Sequence, residues 1–226
     1  MKRRTVLSLI ALVALQGAAQ AAVILPNLPA GSQYRLVFPT TGTYQSYNST
    51  TPSQTRSLSY WQGVVDAEKA ASTSATVTGS TFSIVGSIFN GSSTVLAQTI
   101  TGMSDTVSDN IPVYNTNGEL VAANSVAFWA TTHAAAMNYD RNGVITNGNA
   151  WVGWWPTLQG FRPLGHATQT YYSSTTSTNW LPGPTLNSTA FLRVYAISAP
   201  ISAVPTPGAA ALIGLGGLAA CRRRRA

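Results

Sequence analysis

The chain has 226 residues, of which only 8% are charged, and its 13 basic residues outnumber its six acids for a net charge of +7. The excess lies at the ends: Lys2, Arg3 and Arg4 open the chain, Arg222, Arg223, Arg224 and Arg225 nearly close it, and the six basic residues between them balance all six acids. With a neutral middle the positive excess is no evidence for nucleic-acid binding, and none is expected; a single cysteine, Cys221, excludes an internal disulfide or a thiolate zinc site in the body.

In chain order, the basic residues 2–4 are followed by an apolar run from Val6 to Leu15 and then by Ala19-Gln20-Ala21. This order predicts a secretory signal peptide over residues 1–21 and a mature start near Ala22. The body, residues 22–203, is of single-domain size. It draws its solubility from Ser, Thr, Asn and Gln, and its apolar and aromatic residues are spread along its length.

Residues 23–31, with Pro26 and Pro29, read as an extended lead-in, and Tyr34 to Phe38 as a first strand. One helix is expected from Ser53 to Ala71. Leu58, Trp61 and Val65 form its apolar stripe, with Val64 and Ala71 on the adjoining flank and Asp66, Glu68 and Lys69 on the polar side. Strands are then expected at Ala75 to Thr78, around Phe82 to Ile88, and at Val95 to Ile100. Ile111 to Tyr114 and Glu119 to Ala122 flank Asn115-Thr116-Asn117-Gly118, a hairpin signal. Val126 to Trp129 is short and apolar. Residues 138–143 read as a turn into Val144-Ile145. Ala150 to Trp155 reads as an aromatic strand, 156–184 as a long irregular stretch, and Phe191 to Ser198 as a buried closing strand.

The last 23 residues have three parts in fixed order: Val204-Pro205-Thr206-Pro207-Gly208, then twelve uncharged residues from Ala209 to Ala220, then the four arginines after Cys221. Twelve helical residues span about 18 Å, against a hydrocarbon core of about 30 Å. The uncharged run extends from Ile201 to Cys221, but Pro205 and Pro207 interrupt its start. The segment is a marginal span whose arginines would stay cytoplasmic. A buried core helix is disfavoured, because four arginines would have to be desolvated. Cys221 reads either as a lipidation site at the membrane edge or as a small residue of the tail.

This tail resembles the PEP-CTERM sorting tails of bacterial envelope proteins, in the variant whose proline block reads VPTPG. The resemblance implies export, a tail transiently anchored in the membrane, and removal of that tail by an exosortase, a membrane protease-transpeptidase. The implied partners are that enzyme, signal peptidase and the secretion machinery. A plain C-terminal membrane anchor is the alternative reading of the same residues.

The body's order of strand, one long helix, short strands, aromatic loops and a returning strand predicts an α+β fold. It resembles the C-type-lectin-like fold, and more closely an uncharacterised bacterial group of that fold. The resemblance rests on Leu36 to Tyr44, Pro112 to Ala122, Met137 to Gly143, Ala150 to Trp154 and Phe191 to Ser198. The family's paired cysteines are absent, as are the Glu-Pro-Asn and Gln-Pro-Asp motifs that bind sugar through calcium. Lectin activity therefore does not follow from the resemblance.

Candidate chemistry is sparse. His133 and His166 are the only histidines, Asp140 is the nearest carboxylate in sequence to His133, and no phosphate loop, zincin or nucleophile-elbow motif occurs. No cofactor is expected and no catalytic residue is assigned. Asp140 and Asn142, with Asn147 nearby, offer oxygen ligands, but calcium takes six to eight, so an Asx turn is the favoured reading. Trp151, Trp154, Trp155 and Trp180, with Phe161, Tyr171 and Tyr172, form an aromatic cluster. It suits stacking on a sugar ring or packing on a partner, or else supplies the core. Asn48, Asn90 and Asn187 lie in sequons. Two function classes follow: a non-catalytic envelope or matrix protein, and a carbohydrate-binding module that uses residues 151–180 on extracellular polysaccharide.

Overall fold

The computed structural model describes residues 22–47, 56–89, 92–153, 163–165, 169–179 and 185–204. The signal segment, the tail from Pro205 onward, His166, Trp154, Trp155 and Trp180 lie outside the described residues. In chain order the first elements are β1 (Gln33–Pro39), β2 (Tyr44–Gln45), α1 (Leu58–Ala70), α2 (Ala75–Gly79), β3 (Phe82–Val85), β4 (Ile88–Phe89), β5 (Thr94–Val95) and α3 (Ala97–Thr101). Then come β6 (Val113–Asn115), β7 (Leu120–Ala122), α4 (Ser125–Phe128), β8 (Asn149–Trp151), β9 (Gln169–Ser174), β10 (Thr185–Asn187), β11 (Phe191–Ser198) and β12 (Ile201–Ser202). The architecture is α+β, with few helices around a curled sheet.

The sheet is organised by β11. Its second half lies between β1 and β3, since Tyr195 pairs with both Pro39 and Val85, antiparallel in each case. Its first half pairs antiparallel with β2, through Phe191 and Leu192, and parallel with β8, through Arg193 and Val194. The sheet path runs β10-β9-β8-β11-β1-β6-β7, with β1 and β6 parallel. The first strand of the body thus pairs with the returning strand, β11.

Both faces of the central strands are covered. Leu36, Phe38, Ile84, Val194 and Ala196 face one apolar cluster, with Trp61 and Val65 of α1. Val37, Val85, Tyr195 and Ile197 face the other, with Val121, Phe128 and Met137. Burial on both faces explains why Val194 to Ile197 of β11 reads as a continuous apolar run. Each large side chain so placed contributes about 1.5–3 kcal/mol relative to exposure.

Arg35 is the polar exception within β1. It is buried, donates from Nη1 to the Ser198 carbonyl at 3.1 Å, and pairs through Nη2 with Asp109 Oδ2 at 3.3 Å. Burial acts to raise the Asp109 pKa. The N–H groups of Ile111 and Ser125, together with the Arg35 guanidinium, outweigh it and hold that carboxyl below its usual value.

Several local expectations are corrected. The helix begins at Leu58, where Ser57 caps it by accepting from the Tyr60 N–H at 3.3 Å; Ser53 lies outside the described residues. Glu68 is not on a solvated face but buried, about one turn beyond Val65 and two beyond Trp61. Ala75 to Thr78 is a helical turn, not a strand. Ser74 caps it, and the Thr78 hydroxyl donates to the Ser74 carbonyl at 3.1 Å, so local side-chain bonds prevail over an alternating pattern. Val95 to Ile100 divides into the end of β5 and α3, with left-handed Gly102 closing the helix. Val126 to Trp129 overlaps α4, capped by Asn124. The stretch expected to be irregular contains β9, whose buried Thr170 hydroxyl bonds those of Ser46 at 2.7 Å and Ser188 at 3.1 Å.

The Asn-Gly hairpin forms between β6 and β7. Asn115 Oδ1 accepts from the N–H groups of Asn117 and Glu119, both at 3.0 Å. Gly118 adopts φ +76°, a conformation that favours glycine.

Candidate functional site

The two ends of the body meet beside the start of β1. The short strand β12 pairs antiparallel with Gln33 and Tyr34. The Ala203 N–H donates to the Ser32 carbonyl at 2.7 Å, and the Gly31 N–H to the Ala203 carbonyl at 3.0 Å. The lead-in is seated as well, for the Ile24 N–H donates to the Thr116 carbonyl at 2.9 Å. The next described residue after this ladder, Val204, is 75% exposed. It is the first residue of the proline block.

Here the lead-in, β1, α2 and the end of β12 enclose a groove of about 450 Å³. Leu25 and Pro26 form one wall, Ala75 and Thr76 of α2 another, and Ile201 and Val204 the side from which the chain leaves. Tyr34 also lines it; that ring packs edge-on against Tyr114, and burial raises the phenol pKa. None of the lining residues is charged. Leu25 is 39% exposed, so apolar surface at this edge faces water. The volume falls in the range of small-ligand and peptide sites. Only Val204, the first residue of the proline block, marked this edge in the sequence; the groove itself is assembled from segments about 180 residues apart and has no local signature.

The residues singled out from sequence fall elsewhere. Trp151 is fully buried, and its Nε1 donates to the Tyr44 carbonyl at 2.7 Å. Its ring belongs to the core that includes Leu164 and Val194 and presents no face for stacking on a sugar. Tyr172 packs partly buried against the same core. Trp154, Trp155, Trp180 and Phe161 lie outside the described residues, and of Tyr171 only the backbone, in β9, is described.

Asp140 and Asn142 are committed to structure. Asp140 Oδ1 accepts from the N–H groups of Asn142 at 2.8 Å and Val144 at 3.0 Å, the expected Asx turn. Asn142 Oδ1 accepts from the Thr73 N–H at 2.9 Å, tying the turn to the segment between α1 and α2. Among the described residues, no group of three or more His, Cys, Asp or Glu converges as a metal site would require.

His133 is buried, its ring stacked on Phe128 with centroids 5.3 Å apart. Its Nε2–H donates to the Phe128 carbonyl at 2.8 Å. Burial lowers its pKa to about 4, against a smaller opposing effect of the Phe128 carbonyl. A neutral imidazole locked in the core in this way is a packing residue.

A second polar centre had no sequence signal. The buried carboxylate of Glu68 accepts from the N–H groups of Thr41 at 3.2 Å and Gly42 at 2.9 Å and from the Thr41 hydroxyl, and it pairs with Arg141. Arg193 donates to the Thr40 and Thr41 carbonyls at 2.7 and 2.5 Å. The loop after β1 is thereby fastened to α1, to β11 and to the Asp140 turn. With its lone pairs engaged from within, this carboxylate cross-links the fold.

Comparison with models of known families, with curated proteins and with solved structures returns no match.

Proposed function

We propose that this chain is an exported envelope or extracellular-matrix protein whose tail is processed by an exosortase-type membrane enzyme. The body then serves a structural or interaction role, without catalysis, on a C-type-lectin-like scaffold. The observation that carries the reading is the boundary at Val204. The backbone ladder of the body runs through Ala203, and the next residue is exposed and begins the Val-Pro-Thr-Pro-Gly block. A backbone ladder that closes at Ala203, one residue before the block, suits a cargo whose address is read apart from its body.

Two further features favour a non-catalytic body. The imidazole of His133 is neutral and engaged in the core. The carboxylate of Glu68 is spent on backbone N–H groups and Arg141. Among the described residues, no helix is long and apolar enough to cross a membrane, so anchoring is assigned to the tail, which lies outside them.

The test is the intact mass of the protein isolated from its own host. Loss of about 21 N-terminal residues, by signal cleavage, together with the residues that follow the proline block is the expected result. A native protein that keeps Arg222 to Arg225 would leave a plain membrane anchor in place of a sorting tail.

A further inference from the structure

We propose that the uncharged groove beside Val204 is the docking site for the proline block of the chain's own tail, Val204 to Gly208. This deepens the sorting reading and rests on it: the same block that the processing enzyme would recognise is held against the body until that enzyme takes it.

Position is the first argument. Val204 lines the groove, so the chain passes into the block from the groove wall itself. The four residues after Val204 reach about 12 Å if extended at 3.1 Å per residue, comparable with a cavity of 450 Å³. Chemistry is the second. The block is uncharged, and so is every residue that lines the groove. Proline-bearing segments dock on aromatic and apolar walls because their restricted backbone loses little entropy on binding, and Tyr34, Leu25 and Pro26 supply such walls. The exposed apolar area is the third. Leu25 and Val204 are 39% and 75% exposed, and covering them with the adjoining segment removes that apolar surface from water. The four arginines have no counter-charge in the groove, so the docking segment ends before the apolar run.

Two states of the tail follow. Docked, the block is shielded and the body closed over its own apolar edge. Released, it is presented to the membrane enzyme. The remnant left on the body after processing would cover the same edge.

Hydrogen exchange on the unprocessed full chain tests this, with the protein made in a host without the processing enzyme and held in detergent micelles. The parent is compared with Pro205→Asp/Pro207→Asp, which places two charges in the uncharged groove. The expected result is exchange at least about threefold faster over residues 75–80 and 33–34 in the variant, with α4 unchanged, since weak docking contributes only fractions of a kcal/mol to local opening. Equal rates at residues 75–80 in both proteins overturn the proposal. Native processing is read separately by mass, so docking can fail while the sorting reading stands, and the reverse.

Discussion

Gly42 donates its backbone N–H to the buried carboxylate of Glu68 at 2.9 Å, fastening the loop after β1 to α1. The same carboxylate takes the Thr41 N–H and the charge of Arg141. A single side chain thus satisfies donors from two separate parts of the chain, the Thr41-Gly42 loop and Arg141.

Removing it leaves those donors stranded. Glu68→Ala is expected to destabilise the protein by about 3–5 kcal/mol, the usual cost of breaking a buried ion pair from one side. Glu68→Gln keeps an acceptor and should lose less. Urea denaturation of both variants measures this, and equal, small losses of under about 1 kcal/mol, as for an exposed pair, would show that the carboxylate is not buried as described.

His133 sets the dependence of stability on pH in the mildly acid range. Its folded pKa of about 4 lies below the ordinary 6.5, so the unfolded chain binds its proton first. Stability is full above about pH 6.5, falls as pH drops toward 4, and levels off below that. The whole step is on the order of 3 kcal/mol at 1.36 kcal/mol per unit. Asp109 is shifted in the same direction, with its folded pKa below the unfolded value of 3.8. Its contribution is present above that value and is lost at lower pH, outside the His133 window. Denaturation midpoints between pH 7 and 4 should decline in the parent and stay flat in His133→Gln; parallel curves would argue against a buried neutral imidazole.

Trp151→Ala is expected to cost about 3–5 kcal/mol through the cavity it leaves, with a further cost for the unpaired Tyr44 carbonyl. Trp151→Phe should cost less. If Trp151 served a surface ligand instead, the Ala variant would keep its midpoint and lose only binding, which thermal melting beside a glycan-binding assay would reveal.

Chelation is expected to leave the melting curve unmoved, because the Asp140 and Asn142 oxygens that face the turn are already occupied by N–H donors. A fall in midpoint of more than about 5 °C, over 1 kcal/mol for a domain of this size, would show a structural ion at that turn.

What could be read from the sequence depended on the range of the interactions involved. β11 was legible to its ends, because its second half, Val194 to Ile197, is a short apolar run buried on both faces. The 115–118 hairpin was legible because its Asn-Gly signal is local. The helical turns α2, α3 and α4 were not, since each depends on a cap or closing residue at Ser74, Gly102 or Asn124, and one turn is too short for periodicity to reveal. Glu68 read as solvated because its partners, Thr41, Gly42 and Arg141, lie 26 to 73 residues away. The groove was invisible for the same reason. Only Val204 carried a sequence signal, and that signal concerned the tail.

The place of β11 in the sheet governs the order in which the protein can become itself. Four strands, β1, β2, β3 and β8, take an edge from it, yet it spans residues 191–198 of 226. A chain emerging N-terminus first from a ribosome or a secretion pore carries those edges unfinished for almost its whole length. Contacts this distant in sequence also close slowly. Completion of the sheet is thereby deferred until residues 191–198 have been made.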